Sequence, residues 1–161
     1  MKKRIALFAG SFDPFTIGHF DVVKRGLNLF DKIVIAIGIN DLKKPMFTAE
    51  ERLQQISTFY ANNPDVEVIT YKGLTADIAQ KVGAIALLRG IRSGADYEYE
   101  RTLADTNHYL CGIDTVLLFT AQNLSHISSG SVRELMSYGH NVEEMLPPGF
   151  KLKRLPKNKI D

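Results

Sequence analysis

The feature that most constrains this chain is a series of five short apolar runs, at residues 5–9, 33–39, 66–69, 84–88 and 115–119, with segments of helical period between them. Four of the runs lack polar alternation, and the third is broken only by Glu67. Such runs suit strands buried on both faces, which in a parallel sheet need crossover helices to cover them. The intervening segments supply those helices. Phe20, Val23, Leu27 and Phe30 fall at i, i+3, i+7 and i+10, one apolar face. Thr48-Ala-Glu-Glu51 is a capping-box sequence, opening a helix to about Tyr60 that Asn62-Asn63-Pro64 ends. Thr75 and Ser93 are expected to cap two more helices, the first ending near Gly83 and the second running to about Leu110. A last helix is expected after Ser128-Ser129-Gly130, stopping at Tyr138-Gly139. The alternation predicts an α/β fold, a single-domain doubly wound five-stranded parallel sheet over residues 1–150, followed by a weakly structured basic tail at 151–161. Ligands of such sheets bind beyond the carboxyl ends of the strands, here after Ala9, Ile39, Ile69, Leu88 and Phe119.

Composition narrows the class of partner. With 45% hydrophobic and 24% charged residues the chain is expected to fold rather than stay disordered. The 20 Lys and Arg exceed the 18 Asp and Glu by a net of +2, yet residues 151–161 alone carry five basic groups against one acidic. The body is slightly acidic, which argues against a nucleic-acid partner. One cysteine, Cys111, cannot form an internal disulfide, and no Cys/His cluster has metal-ligand spacing, so a cytoplasmic protein with no resident metal is expected. No stretch approaches the roughly 18 apolar residues of a membrane span. The opening MKKRIALFAGSF reads as a first strand rather than a signal peptide.

Three loops on the expected ligand edge favour phosphate. After the first strand comes Gly10-Ser-Phe-Asp-Pro-Phe-Thr-Ile-Gly-His19, which is neither a dinucleotide fingerprint nor a P-loop. It offers a glycine turn, Thr16 as N-cap, and His19 in the first turn of a helix whose N-terminal N–H groups suit an anion. Gly18 would admit a ligand close to the backbone and His19 would donate to a phosphate oxygen; the plainer alternative is a capped turn with an incidental histidine. Arg89-Gly-Ile-Arg92, at the end of the fourth run, suits bidentate phosphate recognition. Ser128 and Ser129, with Arg133 one turn on, make a second helix N-terminus of the same kind. Lys43-Lys44-Pro45 adds positive charge, one lysine being able to reach a transferring phosphoryl group. Glu50-Glu51 read as first-turn helix charges, and Glu100 as either a helix-packing residue or a polar nucleotide contact.

These motifs carry a resemblance. Gly10 to His19 resembles the G-[TS]-F-D-P-x-T-x-G-H signature of the nucleotidylyltransferase superfamily. Together with Lys43-Lys-Pro-Met-Phe47, Arg89-Gly-Ile-Arg92, Asp96-Tyr-Glu-Tyr-Glu100 and Ile127-Ser-Ser129, in order from about Lys3 to Phe150, it is similar to the bacterial phosphopantetheine adenylyltransferases. The resemblance implies a Rossmann-like nucleotidylyltransferase fold and reversible adenylyl transfer from ATP to 4′-phosphopantetheine, giving dephospho-coenzyme A and pyrophosphate in coenzyme A biosynthesis. It implies magnesium held mainly by substrate phosphates, and a homohexamer. It places Ser11 and Phe12 at the nucleotide, with Ser11 also near the attacking phosphate. His19 falls at the α-phosphate as transition-state stabiliser. Lys43, Thr75 and Arg89 fall at phosphopantetheine positions, and Lys43 and Arg92 join His19 as catalytic groups. Gly90, Ile91, Arg92, Glu100, Leu124, Ser125, His126, Ile127, Ser128, Ser129 and Gly130 fall at ATP positions. The chain departs from the family pattern at Leu124 and Gly130, where an aromatic residue and a third serine are common.

Overall fold

In the computed structural model, which describes residues 3–153, the apolar runs become β1 (Ile5–Gly10), β2 (Lys32–Gly38), β3 (Val66–Tyr71), β4 (Ala86–Ile91) and β5 (Asp114–Phe119). They pair in the order β3-β2-β1-β4-β5, every pair parallel. Alternate residues of β1 enter two different cores. Ala6 and Phe8 pack with Ile33, Ile35 and Leu88, whereas Leu7 and Ala9 pack with Val34, Ala36 and Leu87 on the opposite face. Burial on both sides is the physical reason the runs show no polar alternation.

Five helices cover the sheet: α1 (Ile17–Gly26), α2 (Ala49–Phe59), α3 (Thr75–Lys81), α4 (Gly94–Cys111) and α5 (Ser129–Ser137). Val22 and Val23 of α1, Ile56 of α2 and Val132 of α5 fill the larger core. Ala79 of α3 fills the smaller one, and α4 packs beside α3. Small side chains on that second face, Ala9, Ala36, Ala79 and Ala84, bring helix and sheet close together. Among the described residues no helix is long and apolar enough to cross a membrane.

Several expected boundaries move. The first helix covers Ile17–Gly26, so Leu27 and Phe30 of the expected apolar face lie beyond it; at Gly26 the helix runs close against the sheet, where a Cβ would lie 2.5 Å from Leu88 Cδ2. Phe30 still reaches the core, from the turn that follows. Thr75 does not cap its helix: Leu74 holds the cap position with no side-chain bond, and the Thr75 hydroxyl lies 3.0 Å from that of Tyr71. The fourth strand begins at Ala86 and continues through Ile91, so Arg89 and Gly90 lie inside it rather than beyond its end. Of the expected basic tail, residues 154–161 lie outside the described residues.

Strand order reverses between β1 and β4, because successive connections step outward from β1 on one side and from β4 on the other. A crevice opens at such a reversal. Here its rims are Gly10-Ser11 and Arg89-Gly90.

Candidate active site

The crevice is a cleft of two lobes, about 750 Å³ and about 330 Å³, sizes ordinary for small-molecule sites. Ala9, Gly10, Ser11, Arg89, Tyr99 and Glu100 line both lobes and form the waist between them. Strands β1 and β4 thus place one serine and one arginine where the two spaces meet.

The smaller lobe is organised by α1. Thr16 caps the helix, accepting from the His19 N–H, while the Thr16 N–H donates to His19 Nδ1 at 3.0 Å. The imidazole therefore occupies the capping-box position usually filled by Glu or Gln. This bond settles the tautomer: Nδ1 accepts, so the ring proton is on Nε2, the one nitrogen left to donate. The ring sits against Phe8, Phe12 and Phe15, with its centroid 5.0 Å from that of Phe12. Burial, reinforced by Arg89 and Arg92, pushes its pKa down to about 3. His19 is accordingly a neutral, fixed donor at pH 7. Gly18, in the same turn, would place a Cβ no closer than 3.6 Å to any protein atom, so the fold itself does not require glycine there. Gly18 also lines the lobe, where a methyl group would project toward a ligand. Gly90 differs: its Cβ would lie 2.8 Å from Val22 Cγ2, so it is needed for α1 to pack on β4.

The arginines are held by α4. Arg89 donates from Nη2 to Glu100 Oε1 at 2.7 Å and from Nε to Oε2 at 2.9 Å, and from Nη1 to the Ala9 carbonyl. In the structure its bidentate partner is a carboxylate of the protein, not an open phosphate site, although two of its five N–H groups remain. Glu100 is the one buried residue of α4, and this pair explains why. One turn earlier Asp96 accepts from both the backbone N–H and Nε of Arg92, at 2.9 and 3.2 Å, while Arg92 Nη1 donates to the Ile127 carbonyl at 3.3 Å. Ser93 caps α4 as expected.

The larger lobe is lined by Lys43, Tyr71 and Thr75 at one end and by Leu103, Ala104 and Asn107 of α4 at the other. Lys43 sits on an exposed loop, residues 40–45, between β2 and α2. The lobe is more than twice the volume of the pocket around His19, whose two arginines are paired with Asp96 and Glu100.

The cytidylyltransferase-like family matches residues 7–135. Over 152 residues the chain is 60% identical to a phosphopantetheine adenylyltransferase of Porphyromonas gingivalis, covering 94% of this chain and 99% of that one. The chain belongs to the phosphopantetheine adenylyltransferase family. An adenylyltransferase of the same name from Flavobacterium johnsoniae is 49% identical over 151 residues, again covering 94% and 99%, and one from Bacteroides thetaiotaomicron is 47% identical over 149 residues. Among solved structures, the lipopolysaccharide core biosynthesis protein of Thermoplasma volcanium superposes with a TM-score of 0.54 at 21% identity, over 74% of this chain and 98% of that one, which supports the fold alone.

Within this adenylyltransferase the cleft brings together most of the residues singled out in the sequence. Ser11, Lys43, Thr75, Arg89 and Glu100 line the larger lobe, and Ser11, Phe12, His19, Arg89, Gly90, Arg92, Glu100, Ile127, Ser128 and Ser129 the smaller. Phe12 contributes backbone rather than ring, since its side chain is buried and its φ is +48°. Leu124 and His126 instead line a separate groove with Met145, Ile91 is buried, and Ser125 and Gly130 are exposed outside both lobes. Arg133 lines neither lobe; its Nη1 donates to the Asp13 carbonyl at 2.7 Å, tying α5 to the Gly10–His19 loop. The Ser129 hydroxyl does the same through the Pro14 carbonyl at 2.8 Å. Sequence reasoning passed over Asp13 as a structural group and Arg52 altogether. A visible signal existed for the second, a cation in the first turn of a helix, where it opposes the macrodipole.

Proposed function

We propose that the smaller lobe holds ATP, the larger holds 4′-phosphopantetheine, and the adenylyl group passes between them at the waist. The observation that carries this reading is the geometry of the waist, where Ser11 and Arg89 belong to both lobes beside a neutral, immobilised His19. A phosphate oxygen of the acceptor attacks the α-phosphorus of ATP, forming one P–O bond as the bond to the pyrophosphate oxygen breaks. The nucleophile is a phosphate monoester whose second pKa is about 6, so near pH 7 it needs no general base. The site then has to align the reactants and stabilise charge as it moves over the α-phosphate. His19 donates from Nε2 to an α-phosphate oxygen, Lys43 reaches the same phosphate from the larger lobe, and the spare N–H groups of Arg92 face the leaving phosphates. The first-turn amides of α1 and α5, beside Gly18 and Ser129, add fixed donors.

Magnesium fits this site as a companion of the substrate. Among the described residues no three His, Cys, Asp or Glu side chains gather to hold an ion. The lining carboxylates Asp41, Asp96 and Glu100 are paired with Lys72, Arg92 and Arg89. The ion would be held by phosphate oxygens and water and would neutralise part of their charge.

Further copies of the chain, as a homohexamer, are the other expected partner. Helix α4 buries only Glu100 and exposes its own Tyr109 and Leu110, and edge strand β5 exposes Phe119 at its end, apolar surface for assembly to cover. Sedimentation should give the mass of six chains. Incubation with ATP, magnesium and phosphopantetheine should yield pyrophosphate and dephospho-coenzyme A in equal amounts; no product at high enzyme concentration overturns the assignment.

A further inference from the structure

Arg52 is 4% exposed, yet none of its hydrogen bonds reaches a carboxylate. Its Nε donates to the carbonyls of Phe47 and Thr48 at 3.1 and 3.3 Å, and its Nη1 to those of Ser11 and Gly38. Asp13 and Glu50 are the acidic groups whose fields reach it. The placement is costly twice over, because a cation is buried and because it lies in the first turn of α2, next to the positive end of the helix dipole. Helix stability alone would favour almost any other residue.

The four carbonyls identify what the cost secures. Gly38 and Phe47 stand at the two ends of the segment that carries Lys43, and Ser11 is the residue at the waist of the cleft. One planar guanidinium therefore joins both ends of the lysine loop to the waist serine. From the other side the buried Asp13 carboxylate accepts the N–H groups of Met46 and Phe47 at 2.8 and 2.9 Å, closing the base of the same loop. Between these anchors residues 40–45 are exposed. The reach of a lysine on such an exposed loop is set by the loop's base.

We propose that Arg52 is a positioning residue for the acceptor phosphate, holding Ser11 and the base of the Lys43 loop in the register at which both meet that phosphate. The inference rests on reading the larger lobe as the acceptor site. Its chemistry requires the fork: a lysine ammonium is a point donor and cannot serve carbonyls on three segments in one plane.

The test is steady-state kinetics of the full chain with ATP and phosphopantetheine varied separately. Turnover by the unaltered protein tests the activity, a selective loss for phosphopantetheine in Lys43→Ala tests the reading of the lobes, and the Arg52 and Asp13 variants test the inference. Arg52→Lys should raise KM for phosphopantetheine about tenfold while KM for ATP stays within about twofold, since only the acceptor side is loosened. Asp13→Asn, which weakens the same base from the opposite side, should shift the two constants in the same unequal way. Circular dichroism selects the variants that fold. A folded variant of either kind whose two KM values stay unchanged, or rise together while its melting temperature falls, overturns the proposal and leaves Arg52 a structural residue.

Discussion

Around His19 the cleft is defined by side chains locked to the backbone, the imidazole by Thr16, Arg92 by Asp96 and Ile127, and Arg89 by Glu100 and Ala9. Around Lys43 it is defined by an exposed loop, anchored at its base by Asp13 and Arg52 and further out by an Asn40 turn and the exposed Lys72–Asp41 pair. The difference follows the demands of the reaction. Charge that develops at a phosphorus atom is stabilised by donors that do not have to reorganise, so the lobe proposed for the nucleotide is set before the substrate arrives. The acceptor brings a long arm and a mobile phosphate, and a lysine on a short tether can follow it in.

The contrast breaks most readily at His19. Replacement by Ala should leave the fold intact and lower kcat by about 10² or more, the scale of losing a preorganised transition-state donor. Gln should fail to restore it: its amide oxygen can keep the capping bond to Thr16, but its N–H groups then lie on the same amide and not where the rigid ring holds Nε2. Lys43→Ala should lower kcat/KM for phosphopantetheine by about tenfold to a hundredfold, as for a charged hydrogen bond, but here Arg should restore most of the loss. If Gln rescues position 19 as well as Arg rescues position 43, the two lobes do not differ in the way described. Gly18→Ala should raise KM for ATP about tenfold without lowering the melting temperature, since its methyl group meets ligand and not protein.

The smallest effects are on pH dependence. Because His19 titrates at about 3, below its ordinary 6.5, the free enzyme should show no limb in kcat/KM from His19 near neutrality. A fall below about pH 6 should come from protonation of the acceptor phosphate and should persist in His19→Gln. Stability is linked with the opposite sign from a salt-bridged histidine. The unfolded chain binds a proton at position 19 below 6.5 while the folded chain resists it to about 3, so stability present above 6.5 is lost as pH falls toward 3. Thermal melts of His19→Gln should show a shallower acid decline than those of the unaltered protein.

Much of this was legible in the residues. The unalternated runs gave the doubly buried sheet, and Thr16, Thr48, Ser93 and Ser128 capped the helices they precede, because capping is a local interaction between neighbours in the chain. The loops rich in lysine, arginine and serine pointed to the carboxyl edge of the strands, where the cleft opens. What the sequence could not supply were bonds across long separations. Arg133 and Ser129 read as anion donors and serve the Asp13 and Pro14 carbonyls instead, and Arg89 has Glu100 as its fork partner. Thr75 bonds Tyr71 rather than capping α3, and Leu124, Ser125 and His126, which read as nucleotide contacts, line neither lobe.

The most direct test of the account is a structure of the protein with dephospho-coenzyme A, which carries both halves of the reaction in one molecule. The account predicts adenosine in the smaller lobe, the pantetheine arm in the larger between Thr75 and Asn107, and the bridging phosphate at the waist within hydrogen-bond distance of His19 Nε2. A product lying in the reverse orientation, or with its bridging phosphate away from His19 and Ser11, would contradict it.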